Sequence, residues 1–285
     1  VTLGVLALAL LAAAGAEQRY PVTAVVLSVD LAHRTFVASS SAIPDYMEAM
    51  VMPFSVRDAA LLEGLVPSAI VDFTLVVTAD DSWVEELRPR RYQNFEREPM
   101  LADRLALLDT IASQATPLPK PALGDAVPDF HLVDQSNAPV RLSQFAGKVV
   151  ALNFIYTTCP LPNYCLRLSN HFGVLRTRFE KQMGRDVALL SVTFDPAHDS
   201  PEVLAKYAAR WAGDKTGWHF LTGPPPDVKR VARSLGLNFW PDEGTVTHAL
   251  HVFVIGRDGR LKADMEGNEY TSQQLGDVIA AQLSR

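Results

Sequence analysis

Cysteine is nearly absent from this chain: 285 residues hold two, Cys159 and Cys165, with five residues between them. A structural disulfide contributes most when it closes a long loop, so a pair this close points to chemistry instead. Basic clusters are missing as well. Lys and Arg total 26 against 32 Asp and Glu, and the net charge is −6. The nearest basic run, Arg88-Pro-Arg-Arg91, is broken by proline and soon followed by Glu96 and Glu98. This leaves nucleic acid without electrostatic support as a partner. There is no internal repeat and no long low-complexity tract.

Long apolar runs are scarce too. The longest, VTLGVLALALLAAAGA at 1–16, is too short to span a bilayer comfortably and ends in Ala14-Gly15-Ala16 before the polar Glu17-Gln18-Arg19. An apolar segment with a small-x-small ending reads as a signal peptide, so 1–16 is expected to direct export to the periplasm. An uncleaved membrane anchor is the alternative. With no cysteine near the cleavage point, a lipid anchor is not expected. Export also places both thiols where thiols tend to oxidise.

The remaining length suits two modest domains. Residues 20–78 alternate in short segments at 22–29, 35–38, 53–56 and 70–77, with turn signals such as Asp30 and Gly64 between them. This predicts a small all-β domain, an OB-like barrel or a sandwich. In 79–123, Met100, Leu101, Leu105, Leu108, Ile111 and Ala112 recur at helical spacing, and Thr116-Pro-Leu-Pro-Lys-Pro121 reads as a stiff linker. From 124 to 285 the pattern becomes α/β. Apolar runs at 149–155 and 187–194 suit strands buried on both faces. Helices are expected at 166–182, 200–211, 226–235 and 272–283, and a hairpin turn at Arg257-Asp-Gly-Arg260 joins strands at 250–255 and 261–264. That order, with cysteines just after the first core strand, is the thioredoxin plan.

Cysteines at the carboxyl end of a parallel strand sit in the crevice where open α/β sheets place their sites. Helix N-terminal amides lower a thiol's pKa there, and the thiolate both attacks disulfides and binds soft metals. In Cys159-Pro-Leu-Pro-Asn-Tyr-Cys165 the loop must fold back for the sulfurs to meet, and Pro160 and Pro162 can set such a turn. From the residues alone, metal binding, redox exchange and a structural disulfide all remain open.

The segment from Asp129 to Leu283 resembles the Sco/SenC family of thioredoxin-like copper proteins. Asp129-Phe-His-Leu-Val-Asp134, Leu142-Ser-Gln-Phe-Ala-Gly-Lys-Val-Val150, Asn153-Phe-Ile-Tyr-Thr-Thr-Cys-Pro160, Ser191-Val-Thr-Phe-Asp-Pro196, Asp199-Ser-Pro-Glu-Val-Leu-Ala-Lys-Tyr207 and Trp218-His-Phe-Leu-Thr-Gly223 carry the resemblance. It implies copper, as Cu(I) or Cu(II), bound by Cys159, Cys165 and a distal His248. It also implies delivery to a respiratory copper site such as that of cytochrome c oxidase, with a thiol reductant keeping the cysteines reduced. Thr247-His248 stands near where a thioredoxin carries its cis-proline, which favours metal over general disulfide reduction. The family's usual pair has three intervening residues; the five here leave room for the same three-ligand site but could shift the balance towards redox work.

A second resemblance covers 20–77, which looks like a CusF-type periplasmic copper-binding barrel. Ile43-Pro-Asp-Tyr-Met-Glu-Ala-Met-Val-Met-Pro-Phe54 carries it. Met50 and Met52 match that family's methionine pair, Met47 takes its Trp position, and its His position falls in Ser39-Ser-Ser41 without an imidazole. This implies a second Cu(I) site of three thioethers, or a barrel that has lost copper. Methionine as flexible core filler accounts for one or two of the three.

The leading expectation is therefore a periplasmic copper chaperone, not an enzyme, whose barrel captures Cu(I) and hands it across the proline linker. A thiol–disulfide oxidoreductase with Cys159 as nucleophile and Cys165 resolving is the alternative. A peroxiredoxin relative comes third, disfavoured by the clustered cysteines and His248. His251 is expected to face away from His248, and His171, His131, His198 and His219 to be ordinary core or surface residues. Asp195 is either an outer partner of a ligand or a turn cap.

Overall fold

The computed structural model describes residues 17–90, 120–211, 217–237, 239–242 and 245–284. The segment expected to be a signal peptide, the helix expected near 100–112 and most of the expected proline linker lie outside the described residues.

In the N-terminal unit, β1 (Gln18–Asp30), β2 (Thr35–Ser40), β3 (Val51–Ser55), β4 (Ile70–Val77) and β5 (Ser82–Pro89) form an antiparallel sheet in the order β3-β2-β1-β4-β5. A bridge from Val56 to Val84 joins the end of β3 to β5 and closes the sheet into a barrel. Its core follows from period-2 alternation: Val22, Ala24 and Val26 of β1 meet Phe36, Phe54 and Phe73. Those three rings pack with centroids 5.0–5.7 Å apart.

The sheet runs past the boundary expected at residue 78, because β5 belongs to it. In Ser-Trp-Val-Glu-Glu-Leu-Arg-Pro the alternation is broken. Trp83 and Val84 are both buried, and Glu86 has a positive φ of 55° beside a register shift against β4.

The C-terminal unit opens with the hairpin β6 (His131–Val133) and β7 (Pro139–Arg141). Its central sheet, ordered β10-β9-β8-β13-β14, consists of β8 (Val149–Ile155), β9 (Val187–Thr193), β10 (Trp218–Leu221), β13 (His251–Ile255) and β14 (Leu261–Glu266). β8, β9 and β10 run parallel, and β13 and β14 are antiparallel. A two-stranded ribbon, β11 (Phe239–Asp242) and β12 (Thr245–His248), precedes β13. Helices α1 (Arg167–Arg178), α2 (Pro201–Ala208) and α4 (Ser272–Leu283) cover one face through Leu168, Phe172, Leu204, Leu275 and Ile279. Helix α3 (Pro225–Ser234) covers the other through Val228 and Val231.

Burial on both faces explains why β8 and β9 read as unbroken apolar runs. Helix starts follow their caps. Ser200 accepts from Val203 N at 3.4 Å ahead of Pro201, and Thr271 forms a capping box with Gln274. Helix α1 is shorter than 166–182, because the chain turns off at Phe179 towards Gly184, whose φ is 75°.

The barrel rests directly on this unit. Val25 and Leu27, on the outer face of β1, join the cluster that holds Met265, Leu275 and Ile279. The Ser68 hydroxyl receives Asp264 N at 3.2 Å and faces Asp264 O at 3.4 Å, which caps the free edge of β14. Gln274 Nε2 donates to Ser39 O at 3.2 Å, and Arg90 lies 3.4 Å from Glu269.

Candidate metal centre

The buried run of β8 delivers the chain to a sharp turn at its carboxyl end, where Cys159 N donates to Tyr156 O at 3.3 Å. A wide helical turn at Pro162–Leu166 follows, with Tyr164 at non-helical φ −110°, ψ −107°, before α1 begins. This turn absorbs the extra loop length. Both cysteines are free thiols, Cys159 partly exposed and Cys165 buried.

They are hydrogen-bonded to one another and hold unequal protons. The Cys165 thiol donating to Cys159 lowers the Cys159 pKa from 9.0 to about 6, against the opposing effect of burial. Backbone groups of Leu161 and Cys165 and the Tyr156 side chain help. Cys165 moves the other way, because it gives that hydrogen bond and is enclosed. At neutral pH the pair is a thiolate beside a thiol.

His248 closes β12, paired with Phe239 in register. Its Nδ1 lies 2.9 Å from Ala249 O. A carbonyl can only accept, so Nδ1 carries the proton and Nε2 the lone pair, the tautomer a soft metal needs. Burial lowers this imidazole's pKa to about 4, so the ring is neutral. It packs against Phe194 at 4.3 Å and edge-on to Tyr156 at 6.0 Å. Tyr156 thus bonds the thiolate and contacts the imidazole. Among the described residues no three His, Cys, Asp or Glu side chains stand close enough together to hold a metal ion. The two thiols are assembled, and His248 stands apart behind Tyr156.

The methionines gather at one rim of the barrel. Met52 shares the inner face of β3 with Phe54, while Met50, just before the strand, is 45% exposed. A tight turn fixes Met47, whose N donates to Ile43 O at 3.0 Å, and both Met47 and Met52 pack against the barrel core. Ser40 N donates to Met50 O at 2.9 Å. Ser39, one of the residues at the expected imidazole position, is committed elsewhere, its hydroxyl bonded to Asp277 of α4 at 2.6 Å.

Residues 120–284 match the family model SCO1/SenC, and residues 19–89 match that of the copper binding periplasmic protein CusF. The first match spans more than half of the chain. This protein belongs to the SCO1/SenC family. It is 33% identical over 172 residues to a putative copper-binding protein of Stutzerimonas stutzeri, covering 58% of this chain and 78% of that one. It is 29% identical over 165 residues to the SCO1 protein homolog of Bacillus subtilis strain 168, covering 56% and 83%. A SCO1/SenC family lipoprotein from Bacillus anthracis str. Ames superposes with a TM-score of 0.51 at 22% identity, over 58% of this chain and 98% of that one, a likeness of fold.

The other histidines of this SCO1/SenC chain have structural surroundings. His251 is buried, with Nδ1 2.6 Å from Asp264 and its ring stacked on Phe253. His219 faces Asp134 at 3.2 Å, and His131 is exposed. Asp195 receives His198 N at 3.4 Å, which makes it a turn cap. His171 is buried on α1 beside Tyr270, its Nδ1 without a partner. Sequence reasoning missed Tyr156, an aromatic at a strand end, and the buried Asp199, whose contact with Thr157 spans 42 residues of sequence.

Proposed function

We propose that this SCO1/SenC protein is an exported copper carrier that takes copper on Cys159, Cys165 and His248 and passes it to a respiratory copper site such as that of cytochrome c oxidase. The observation that carries this reading is the donor set. A sulfur ionised at neutral pH stands next to a second thiol, and Tyr156 bridges from that sulfur to a neutral imidazole whose Nε2 carries the lone pair, so that closing the site needs His248 to move in. Thiolate with imidazole suits copper in both oxidation states. Copper is cargo here. Tyr156 orients the first sulfur, the Ala249 carbonyl fixes the imidazole tautomer, and the Cys165 proton leaves as its sulfur binds. The thiols must be reduced to receive metal, so a thiol reductant belongs to the cycle. The rim of Met47, Met50 and Met52 is a second Cu(I) site by its donor chemistry, without an imidazole. The CusF-type segment and the apolar 1–16 support a periplasmic setting.

The unequal thiols favour one other reading, a thiol–disulfide oxidoreductase. The Cys159 thiolate would attack a partner disulfide and release one partner thiolate. Cys165 would then lose its proton and displace Cys159's mixed disulfide, leaving an internal disulfide and a fully reduced partner. Copper stoichiometry and absorption of the reduced protein, beside Cys159→Ser and His248→Ala, separate the two. Binding that needs both residues, with a thiolate-to-Cu(II) band, supports delivery. Disulfide cycling without copper, indifferent to His248→Ala, supports the oxidoreductase.

A further inference from the structure

Asp199 lies in the turn between β9 and α2, and it is completely buried. Burying a carboxylate is costly unless its oxygens are satisfied, and among the described residues no Lys or Arg pairs with it. Thr157 N donates to Oδ2 at 3.1 Å and the Thr157 hydroxyl donates to Oδ1. The Thr193 hydroxyl donates to Oδ2 at 2.5 Å, and His198 Nδ1 lies 3.2 Å from Oδ1. The main chain of Asp199 is itself fixed, its N donating to Asp195 O at 2.8 Å.

These contacts lead to both halves of the candidate centre. Thr157 sits inside the turn that Cys159 N closes onto Tyr156 O, so the carboxylate grips that turn by main chain and side chain together. Thr193 ends β9, and its hydroxyl also receives Asp195 N at 2.9 Å, which fixes its direction. The next residue, Phe194, donates its N to Ile155 O at 2.7 Å and carries the ring against which His248 packs.

We infer that Asp199 is a positioning residue for the metal centre. Through Thr157 it sets where the Cys159 sulfur stands, and through Thr193 and Phe194 where the His248 ring stands. It touches neither group and binds no metal. The His248 half rests on the copper reading; the Cys159 half does not.

The test uses the full chain with Asp199→Asn, Thr157→Val, Thr157→Ser and the Asp199→Asn/Thr157→Val double variant. Three quantities are read: Cys159 alkylation by iodoacetamide at pH 7 without metal, the thiolate-to-Cu(II) band, and the urea midpoint. Thr157→Val and Asp199→Asn are expected to slow alkylation about tenfold, while Thr157→Ser stays within about twofold of the parent. Both slow variants should also shift or weaken the copper band. The double variant should be no worse than Asp199→Asn alone, because the two side chains act through one contact. A lower urea midpoint with alkylation and band unchanged would reduce Asp199 to a structural residue and overturn the inference, as would effects that simply add. If Asp199→Asn does not fold, Thr157→Val and Thr157→Ser decide. Should the parent bind no copper, the copper reading falls and the alkylation arm still judges Asp199.

Discussion

Ser39 in the barrel and Asp277 in the last helix share a buried hydrogen bond of 2.6 Å, and Arg178 at the end of α1 holds the same carboxylate at 2.5 Å. Three elements from two units therefore meet at one acceptor. Asp277→Ala would leave the buried Ser39 hydroxyl without its acceptor and Arg178 with the Gln273 carbonyl alone, a loss of about 2 kcal/mol. Urea unfolding should show it, with the single transition broadening or splitting as the barrel loses its anchor. The Asp258 carboxylate is 48% exposed against 9% for Asp277, so Asp258→Ala, which loses Lys262 and the Arg260 N–H, should cost under about 1 kcal/mol. Equal losses in the two variants would mean that the Ser39–Asp277 contact does not couple the units.

How much of this was legible in the residues depends on the range of the interactions. Val149–Ile155, Ile70–Val77 and Ser272–Leu283 appear where their patterns put them, because burial on one or both faces and a helix cap are written locally. β5 was not legible, since a bulge at Glu86 breaks its alternation. The docking of the barrel was hidden for another reason. Ser39 and Ser68 are small polar residues whose partners, Asp277 and Asp264, lie about two hundred residues further along the chain. Cys159, Cys165 and His248 stood out by residue type and resemblance. Tyr156 and Asp199 did not, because their roles exist only once β8 and β9 lie side by side.

Cys159 should react as a thiolate at neutral pH. Its pKa falls to about 6, chiefly through the hydrogen bond from Cys165, while Cys165 is pushed upward. In the reduced, metal-free protein, the rate of iodoacetamide labelling against pH should rise with a midpoint near 6 at Cys159, and Cys165 should stay unlabelled well above that pH. Cys165→Ala removes the donor and should move the Cys159 midpoint up towards an ordinary thiol. An unchanged midpoint in that variant would assign the shift to the backbone instead.

Stability should fall as the solution is acidified below the usual histidine range. Burial, helped by Arg167, lowers the His171 pKa from 6.5 to about 4. The unfolded chain therefore takes up this proton first. The contribution is complete above pH 6.5 and is lost as pH falls towards 4, about 3 kcal/mol across the window. His248, also near 4, adds a loss of the same sign. Urea midpoints between pH 7 and 5 should drop in the parent and drop less steeply in His171→Leu. A parallel slope in the two proteins would show that His171 keeps a nearly normal pKa.

Copper loaded at the methionine rim should not pass directly to the cysteines of the same docked chain. Gln273 donates from Nε2 to Ala49 O at 3.0 Å, beside Met50, and its own carbonyl receives Arg178 Nη1 at 2.9 Å. The rim therefore lies by the last turn of α1, whereas Cys165 precedes the first. The helix between them spans about 20 Å at about 1.5 Å per residue. An arginine reaching back shortens this gap but leaves far more than a metal–sulfur bond of roughly 2.3 Å. A simple hand-over within the docked chain, as the sequence suggested, does not fit this arrangement. The measurement starts with Cys159 and Cys165 joined as a disulfide, so that Cu(I) can load only the rim. A phosphine then reduces the disulfide, and arrival of copper at the thiolates is followed by absorption. A rate that falls in proportion on tenfold dilution is expected, since copper must cross between molecules. A rate indifferent to dilution would mean that the barrel leaves its seat on α4 during transfer. Met50→Leu with Met52→Leu should abolish the initial loading, which ties whichever rate is seen to the rim itself.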